Sequence, residues 1–338
     1  MSVIEKPIVK EEAERRRDTP QPDLKVAVVV PAYKCANQVL DVINRVGPET
    51  TRIYVVDDCC PEGTGQHVEL GNVDPRVVVL RHSQNQGVGG AVMTGYRQAL
   101  ADGMDVAVKV DGDGQMDPRF VPILIKPILA GRADYTKGNR FFNLDSSAKM
   151  PPVRVFGNAV LSFMSKLSTG YWNIFDPTNG FTAIHTKVLA ELPLDKISKR
   201  YFFETDMLFR LNTLRAVVVD VPMKAIYGDE ISNLRVSHVI PEFLMKHWIN
   251  FYKRFFYNYI LRNFSPFTIQ AVLGTLFVFG GTTFGAIEWY RYASANVAAT
   301  SGIVMMAALP IILGIQMILS YLHWDAQNVP TDPLHHRL

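Results

Sequence analysis

Residues Val106–Pro118 read VAVKVDGDGQMDP. A valine-rich run climbs to an aspartate, and Asp111, Asp113 and Asp117 then fall within seven residues. The apolar part has the length and β-branched content of a strand buried on both faces. The acidic part has the glycines of a tight turn. In an open parallel sheet, ligands bind beyond the carboxyl ends of the strands, which is where this turn would lie. Two carboxylates this close repel each other unless a cation sits between them. Hard oxygen donors suit Mg²⁺ or Mn²⁺, which keep waters and bridge to substrate phosphates. The stretch reads either as a solvated turn or as the holder of a metal diphosphate.

The flanking sequence repeats the strand pattern. VAVVVPAY, RIYVVDD, VVVLRH and ADYTKGNR are further short runs, separated by turn or helical material such as GVGGAVMTGYRQALADG. This alternation predicts a mostly parallel α/β sheet. Residues 151–215 read as mostly helical around an irregular centre, DPTNGF, and AVVVDVPM closes the region as a strand. RIYVVDD ends in a second acidic pair, Asp57 and Asp58, at the same predicted sheet edge as PAYK. Carboxylates there suit the hydrogen-bond donors of a base and ribose. Lys137 and Arg140, in KGNR, are placed to meet a diphosphate.

Several classes are excluded. An EF-hand fails because Gln115 takes the third ligand position and Pro122 stands where the bidentate glutamate belongs. There is no P-loop, and Gly87–Gly90 does not complete the dinucleotide fingerprint. Net charge is only +3, which gives no footprint for nucleic acid. Cys35, Cys59 and Cys60 form no CxxC pair and read as reduced packing thiols.

Past Ile240 the composition changes. Leu244, Trp248, Phe251, Phe255 and Tyr259 follow helical spacing, with Lys246, Asn250 and Lys253 opposite, which predicts an amphipathic interfacial helix. Phe267–Ile287 is 21 residues without a charge and Asn296–Leu322 is 27. A spanning helix needs ~20 apolar residues for a ~30 Å hydrocarbon core. Lys253, Arg254 and Arg262 precede the first span, so the positive-inside rule places the preceding domain and the C-terminal tail in the cytoplasm, at the plasma or inner membrane. The expected organisation is a disordered lead (1–24), a catalytic domain (25–239), a juxtamembrane helix (240–264), a two-helix transmembrane hairpin (265–323) and a cytoplasmic tail (324–338).

In this order, VVVPAYK, VVDD, NQGVGGAVMTGYRQA, DGDGQMDP, KGNR and DPTNGF resemble the inverting family-2 glycosyltransferases of GT-A fold. They resemble more narrowly the subgroup that transfers hexoses to polyprenyl and dolichol phosphates. The likeness covers about Lys25–Ser237. It implies that Pro31, Ala32, Tyr33, Asp57 and Asp58 line a base-and-ribose pocket. It implies that Asp111, Asp113 and Gln115 hold Mg²⁺ or Mn²⁺ and the diphosphate, that Arg140 holds phosphate, and that Asp176 serves the acceptor side as a base or as an orienting group. The chain departs from the pattern where Cys59-Cys60-Pro61 replaces Gly-Ser-Thr and where Lys34 replaces an asparagine. It lacks the Q-x-x-R-W motif of processive synthases.

The implied activity is metal-dependent, inverting transfer of one hexose from a UDP- or GDP-sugar to a polyprenyl phosphate. The alternative is a membrane-anchored relative that glycosylates a hydroxyl of a sugar or lipid-linked oligosaccharide. A lipid phosphate brings its own charge and needs cations, for which Arg154, Arg235, Lys199 and Arg200 are candidates. Glu204 and Asp206 read either as contacts for sugar hydroxyls or as carboxylates at a helix N-terminus. His82 and His185 read as structural. The expected partners are the nucleotide sugar, the lipid phosphate, the membrane and a second copy of the chain.

Overall fold

The computed structural model describes residues 24–141, 152–223 and 236–338. Residues 1–23 of the expected N-terminal lead (1–24), Arg235 and the side chain of Arg154 lie outside the described residues. The β-branched runs form seven strands: β1 (Val26–Ala32), β2 (Arg52–Asp57), β3 (Val77–Arg81), β4 (Val106–Lys109), β5 (Tyr135–Asn139), β6 (Thr182–His185) and β7 (Val218–Pro222). They make one sheet in the order β3-β2-β1-β4-β6-β5-β7. All pairings are parallel except those of β6, which runs antiparallel to β4 and β5.

Alternate residues of the central strands feed two cores, because successive side chains of a strand point to opposite faces. Val28, Val30, Ile53, Val55 and Val108 pack with α1 (Ala36–Asn44) and α4 (Val121–Leu129). Ala27, Val29, Tyr54, Val56 and Ala107 pack on the other face with α3 (Val88–Ala101) and α7 (Phe203–Leu214). Between these, α2 (Thr64–Gly71) follows β2, α5 (Pro152–Thr169) follows β5 and the short α6 (Thr186–Ala190) follows β6. The glycines of GVGG serve close packing. A Cβ on Gly87 would sit 2.6 Å from the Lys199 carbonyl oxygen, and one on Gly89 would collide with that of Ser198.

Strand β6 was not legible as a strand, and it matters most for the site. Its register sets Thr182 opposite both Lys109 and Lys137, and Lys137 in turn lies opposite Asp220. Paired residues project to the same face, so Lys109, Thr182, Lys137 and Asp220 form one transverse row. The antiparallel entry of β6 also brings DPTNGF to the sheet edge where β1, β2 and β4 end.

The C-terminal third begins with α8 (Val236–Arg254) and a π-helical segment, Phe255–Arg262. Here one residue departs from the expected faces. His247, Asn250, Arg254 and Asn258 are buried against the sheet domain, joined by Tyr259, which the spacing sets on the aromatic face. Leu244, Met245, Trp248, Tyr252, Phe256 and Phe264 are exposed. The helix thus turns polar groups inward and aromatics outward, and the extra residue per turn of the π segment rotates Tyr259 inside.

Two helices, α9 (Pro266–Ser294) and α10 (Ser301–Gln327), are long and apolar enough to cross a membrane, with 17% and 6% of their most apolar windows buried. The linker is shorter than expected, because EWYRYAS continues α9. The helices approach closely at glycines. A Cβ on Gly314 would lie 2.7 Å from the Gly274 carbonyl oxygen, and one on Gly274 would lie 2.8 Å from that of Gly314. Gly314→Val is therefore expected to cost about 1–3 kcal/mol by overpacking, read as a lowered unfolding midpoint of the detergent-solubilised chain.

The expected tail folds back onto the domain. Leu334 N and His335 N donate to Asp134 at 2.8 and 2.9 Å, and His335 Nδ1 lies 2.6 Å from the same carboxylate. The His335 ring stacks on His185 at 4.5 Å, and Arg215 donates to the Asn328 carbonyl at 2.8 Å.

Candidate active site

The DGDGQ turn leaves the end of β4 and packs under the PAYK turn at the end of β1. A Cβ on Gly112 would lie 3.0 Å from Cys35 Sγ and 3.2 Å from the Pro31 carbonyl oxygen, and Gly114 adopts φ +79°. Asp111 and Asp113 are half-buried, while Gln115 is exposed. Gln115 N donates to Asp113 Oδ1 at 3.0 Å, which shapes the turn. Asp117 plays a separate part, capping the 3₁₀ turn at Pro118–Phe120 and pairing with Arg119 at 2.8 Å.

Asp111 has a partner that the sequence reading did not single out. Lys109 Nζ lies 2.7 Å from Asp111 Oδ1 and 3.4 Å from Glu204 Oε1. Burial acts to lower the affinity of this ammonium for its proton, but Asp111 and Glu204 outweigh it and hold the group above its ordinary range. Glu204, at the start of α7, is thus a counter-ion rather than an open contact for sugar. Its neighbour Asp206 accepts from Ser198 N at 2.8 Å and from Arg210 and Asn250, so it binds α8 to the domain.

Lys137, expected on the diphosphate, is fully buried, and its ammonium donates to the Asn179 carbonyl under the DPTNGF loop. Burial pulls its pKa down to about 8, against the pull of Glu204 and Asp176. Its sheet register, with Thr182 on one side and Asp220 on the other, turns it inward. The basic group that does reach the loop's carboxylate is Arg140. Its Nε lies 2.7 Å from Asp176 Oδ2 and its terminal nitrogen 3.0 Å from Oδ1, a two-pronged pairing. Asp176 is wholly buried, and Thr178 Oγ1 lies 3.4 Å from Oδ1.

Asp220 supports the same loop from β7, accepting from Phe175 N at 2.8 Å and Asn139 at 3.1 Å. Burial pushes its carboxyl up from 3.8 to about 6. The folded protein then keeps this proton in a pH range where the unfolded chain has released it. The stability it confers is full below 3.8 and is lost as pH rises through 6. Asp220→Asn keeps an oxygen for Phe175 N, and it is expected to flatten the dependence of the unfolding midpoint on pH between 4 and 6.

The wall formed by the ends of β1 and β2 is built by buried carboxylates. Asp57 accepts from Cys60 N and Gly65 N, both at 2.8 Å. Asp58 accepts from Gln86 N at 2.8 Å and Gly87 N at 2.7 Å, and lies 2.7 Å from His82 Nδ1. His82 reaches on to Thr94 at 2.8 Å and so links Asp58 to α3. Asp58 N donates to the Ala32 carbonyl, and Tyr33 beside it stays exposed. Lys34 (φ 55°) and Cys59 (φ 54°) hold the two turns in the left-handed region. Cys60 Sγ accepts from Lys34 N and Thr64, each at 3.1 Å, so this thiol links the turns. Lys199 donates to Gln86 at 3.1 Å, and Arg200 is exposed next to it, so both flank the Gly87 loop.

A divalent cation fits this edge on one observation: Asp111 and Asp113 offer hard carboxylate oxygens in a glycine turn, with Gln115 exposed beside them. Among the described residues no cluster of three or more His, Cys, Asp or Glu could hold a metal alone. The donor set therefore suits a cation whose remaining ligands are phosphate oxygens and water.

The glycosyl transferase family 2 pattern matches residues 27–192. The chain is 32% identical over 205 residues to the undecaprenyl-phosphate mannosyltransferase of Micrococcus luteus, covering 59% of this chain and 83% of that protein. It is 29% identical over 221 residues to the UDP-N-acetylglucosamine–dolichyl-phosphate N-acetylglucosaminyltransferase of Methanococcus voltae, covering 61% and 88%. Among solved structures it resembles mannosyl-3-phosphoglycerate synthase from Rubrobacter xylanophilus, with TM-score 0.53, 17% identity and coverage of 71% and 78%. It also resembles glucosyl-3-phosphoglycerate synthase from Mycobacterium tuberculosis in complex with Mn²⁺, UDP-glucose and phosphoglyceric acid, with TM-score 0.51, 18% identity and coverage of 75% and 86%. The sheet, the strand-end carboxylates and these likenesses agree: the chain is a GT-A-fold glycosyltransferase and belongs to glycosyl transferase family 2.

Proposed function

We propose that the protein transfers one hexose, with inversion, from a UDP- or GDP-sugar to a polyprenyl phosphate at the cytoplasmic face of a membrane. The observation that carries this reading is the wholly buried Asp176, clasped by Arg140 through both carboxylate oxygens. With both oxygens taken up by one guanidinium inside the protein, this carboxylate is placed to fix a cation rather than to reach a hydroxyl nucleophile. A lipid phosphate arrives anionic and needs orientation and positive charge instead. The names of the Micrococcus and Methanococcus relatives, with their undecaprenyl- and dolichyl-phosphate acceptors, support the same class.

In this reading the nucleoside packs on Pro31, Ala32 and Tyr33 beside Asp57 and Asp58, and the diphosphate meets the Asp111–Gln115 turn. Asp111, Asp113 and Gln115 would hold Mg²⁺ or Mn²⁺, which would supply Lewis-acid neutralisation of the leaving diphosphate. A phosphate oxygen of the lipid forms a bond to the anomeric carbon as the bond from that carbon to the nucleoside diphosphate breaks. Asp176 fixes Arg140, and Arg140 steadies phosphate charge. Lys199 and Arg200 flank the Gly87 loop beside Asp58, which leaves Arg154 and Arg235, outside the described side chains, as the other candidates for the acceptor phosphate. The outward aromatics of α8 lie in the headgroup layer, and α9 and α10 span the bilayer.

The test is mass spectrometry of glycolipids formed by the purified full-length chain from a panel of nucleotide sugars, with polyprenyl phosphate and with hydroxyl acceptors. A polyprenyl-phosphate hexose is expected, and Asp176→Asn is expected to retain more of that activity than Asp113→Asn. Transfer only to a hydroxyl overturns the reading.

A further inference from the structure

We propose that Lys109 is a positioning residue: an internal counter-cation for Asp111 that, balanced by Glu204, sets how tightly the donor site takes its divalent cation. This rests on the reading of Asp111 and Asp113 as ligands of that cation. Lys109 is 1% exposed, on a strand whose neighbours are otherwise valine and alanine. A buried charge persists only where paired, because leaving water costs more than a single imperfect contact returns. Two carboxylates supply the pairing, Asp111 at 2.7 Å and Glu204 at 3.4 Å. The ammonium is also confined by the loop above it. A Cβ on Gly180 would collide with Lys109 Nζ and would lie 2.8 Å from Asp111 Oδ2. Glycine at 180 is what lets the loop close over the pair.

The consequence is electrostatic. A fixed positive charge that cannot swing away holds one oxygen of Asp111 and repels any second cation brought to the same carboxylate. Glu204 offsets part of that charge from the other side. The site is thus biased against a bare cation and toward one that arrives with the two negative phosphates of the donor. Lys109 also ties the Asp111 turn to Gly180, one residue from the Asn179 carbonyl that Lys137 holds, so the donor turn and the acceptor loop share one buried row.

The experiment is Mn²⁺ binding followed by electron paramagnetic resonance on the full-length chain in detergent, with Mn²⁺ alone and with Mn²⁺ plus UDP or GDP. Lys109→Met is expected to bind Mn²⁺ alone at least tenfold more tightly than wild type. Glu204→Gln is expected to bind Mn²⁺ with the nucleoside diphosphate at least threefold more weakly. A merely architectural role for the pair predicts that both variants bind more weakly, so the opposite signs carry the test. Unchanged or weaker Mn²⁺ binding by a folded Lys109→Met overturns the proposal. Should that variant fail to fold, unchanged or tighter binding by Glu204→Gln overturns it equally. If wild type neither binds Mn²⁺ with UDP or GDP nor needs a metal to form glycolipid, the assignment of Asp111 and Asp113 as cation ligands falls instead. Metal-dependent turnover with unshifted affinities in the variants removes only Lys109's role.

Discussion

Asp113→Asn is expected to lower glycolipid formation by about 10³-fold, equivalent to about 4 kcal/mol of lost transition-state stabilisation. In the proposed reaction the leaving group is a nucleoside diphosphate, whose departure gathers negative charge at the end of β4. The substitution keeps the shape of the turn but removes one of the charges proposed to hold a neutralising cation there. Excess EDTA should reproduce the loss in wild type. The fold should survive, because Asp113 lies half-buried in a glycine turn outside both apolar cores. Asp117→Asn is the control from the same stretch. Its carboxylate caps a turn and pairs with the exposed Arg119, an arrangement worth about 1 kcal/mol or less. It should leave turnover within a few-fold of wild type. Equal losses in the two variants, or full wild-type activity in EDTA, would remove the cation from the mechanism.

The difference between Asp113 and Asp117 marks how far sequence reasoning carries. Valine-rich runs announce their strands because burial on both faces leaves no polar position, and parallel topology follows from their alternation with helices. β6 escaped because it is four residues long and is made a strand by its two neighbours rather than by its own composition. The DGDGQ turn was legible because its charges have no use in a core. The roles of single basic groups were not legible. Lys137 and Arg140 stand three residues apart in one strand end, yet cross-strand register turns one into the interior and lets the other clasp Asp176. Lys109, amid valines, carried the available signal: a lysine at an inward strand position implies a buried carboxylate partner. Only the fold identifies that partner as Asp111. The inward turn of Tyr259 was hidden for a related reason, since helical spacing assumes a regular α-helix and the π segment breaks that period.

The strongest effect on stability is expected at the junction of the catalytic domain and the two candidate membrane helices. Arg254, in α8, and Asp325, near the end of α10, are each 1% exposed and lie 2.7 Å apart. Trp172 Nε1 donates to the same carboxylate at 2.9 Å, Tyr259 O–H also donates to it, and Arg254 donates to the Leu167 carbonyl at 2.8 Å. One buried cluster therefore binds the catalytic domain, the interfacial helix and the hairpin. Arg254→Met leaves a buried carboxylate without its counter-charge, a defect that typically costs about 3–5 kcal/mol. At roughly 2–4 °C per kcal/mol for a chain of this class, the unfolding midpoint in detergent should fall by about 10 °C. Arg254→Met combined with Asp325→Leu removes both charges and should recover part of that loss, since an apolar pair no longer strands an ion. The functional readout should divide in the same way. The proposed nucleotide site draws on β1, β2 and β4, far along the chain from this cluster, so UDP or GDP affinity should be nearly unchanged in Arg254→Met at low temperature. If the acceptor is a long-chain lipid phosphate, as proposed, its use requires the domain to be held at a fixed height over the bilayer, so its KM should rise several-fold. A variant that loses nucleotide affinity and lipid turnover in equal measure would show that the cluster supports the whole domain rather than its seat on the membrane helices.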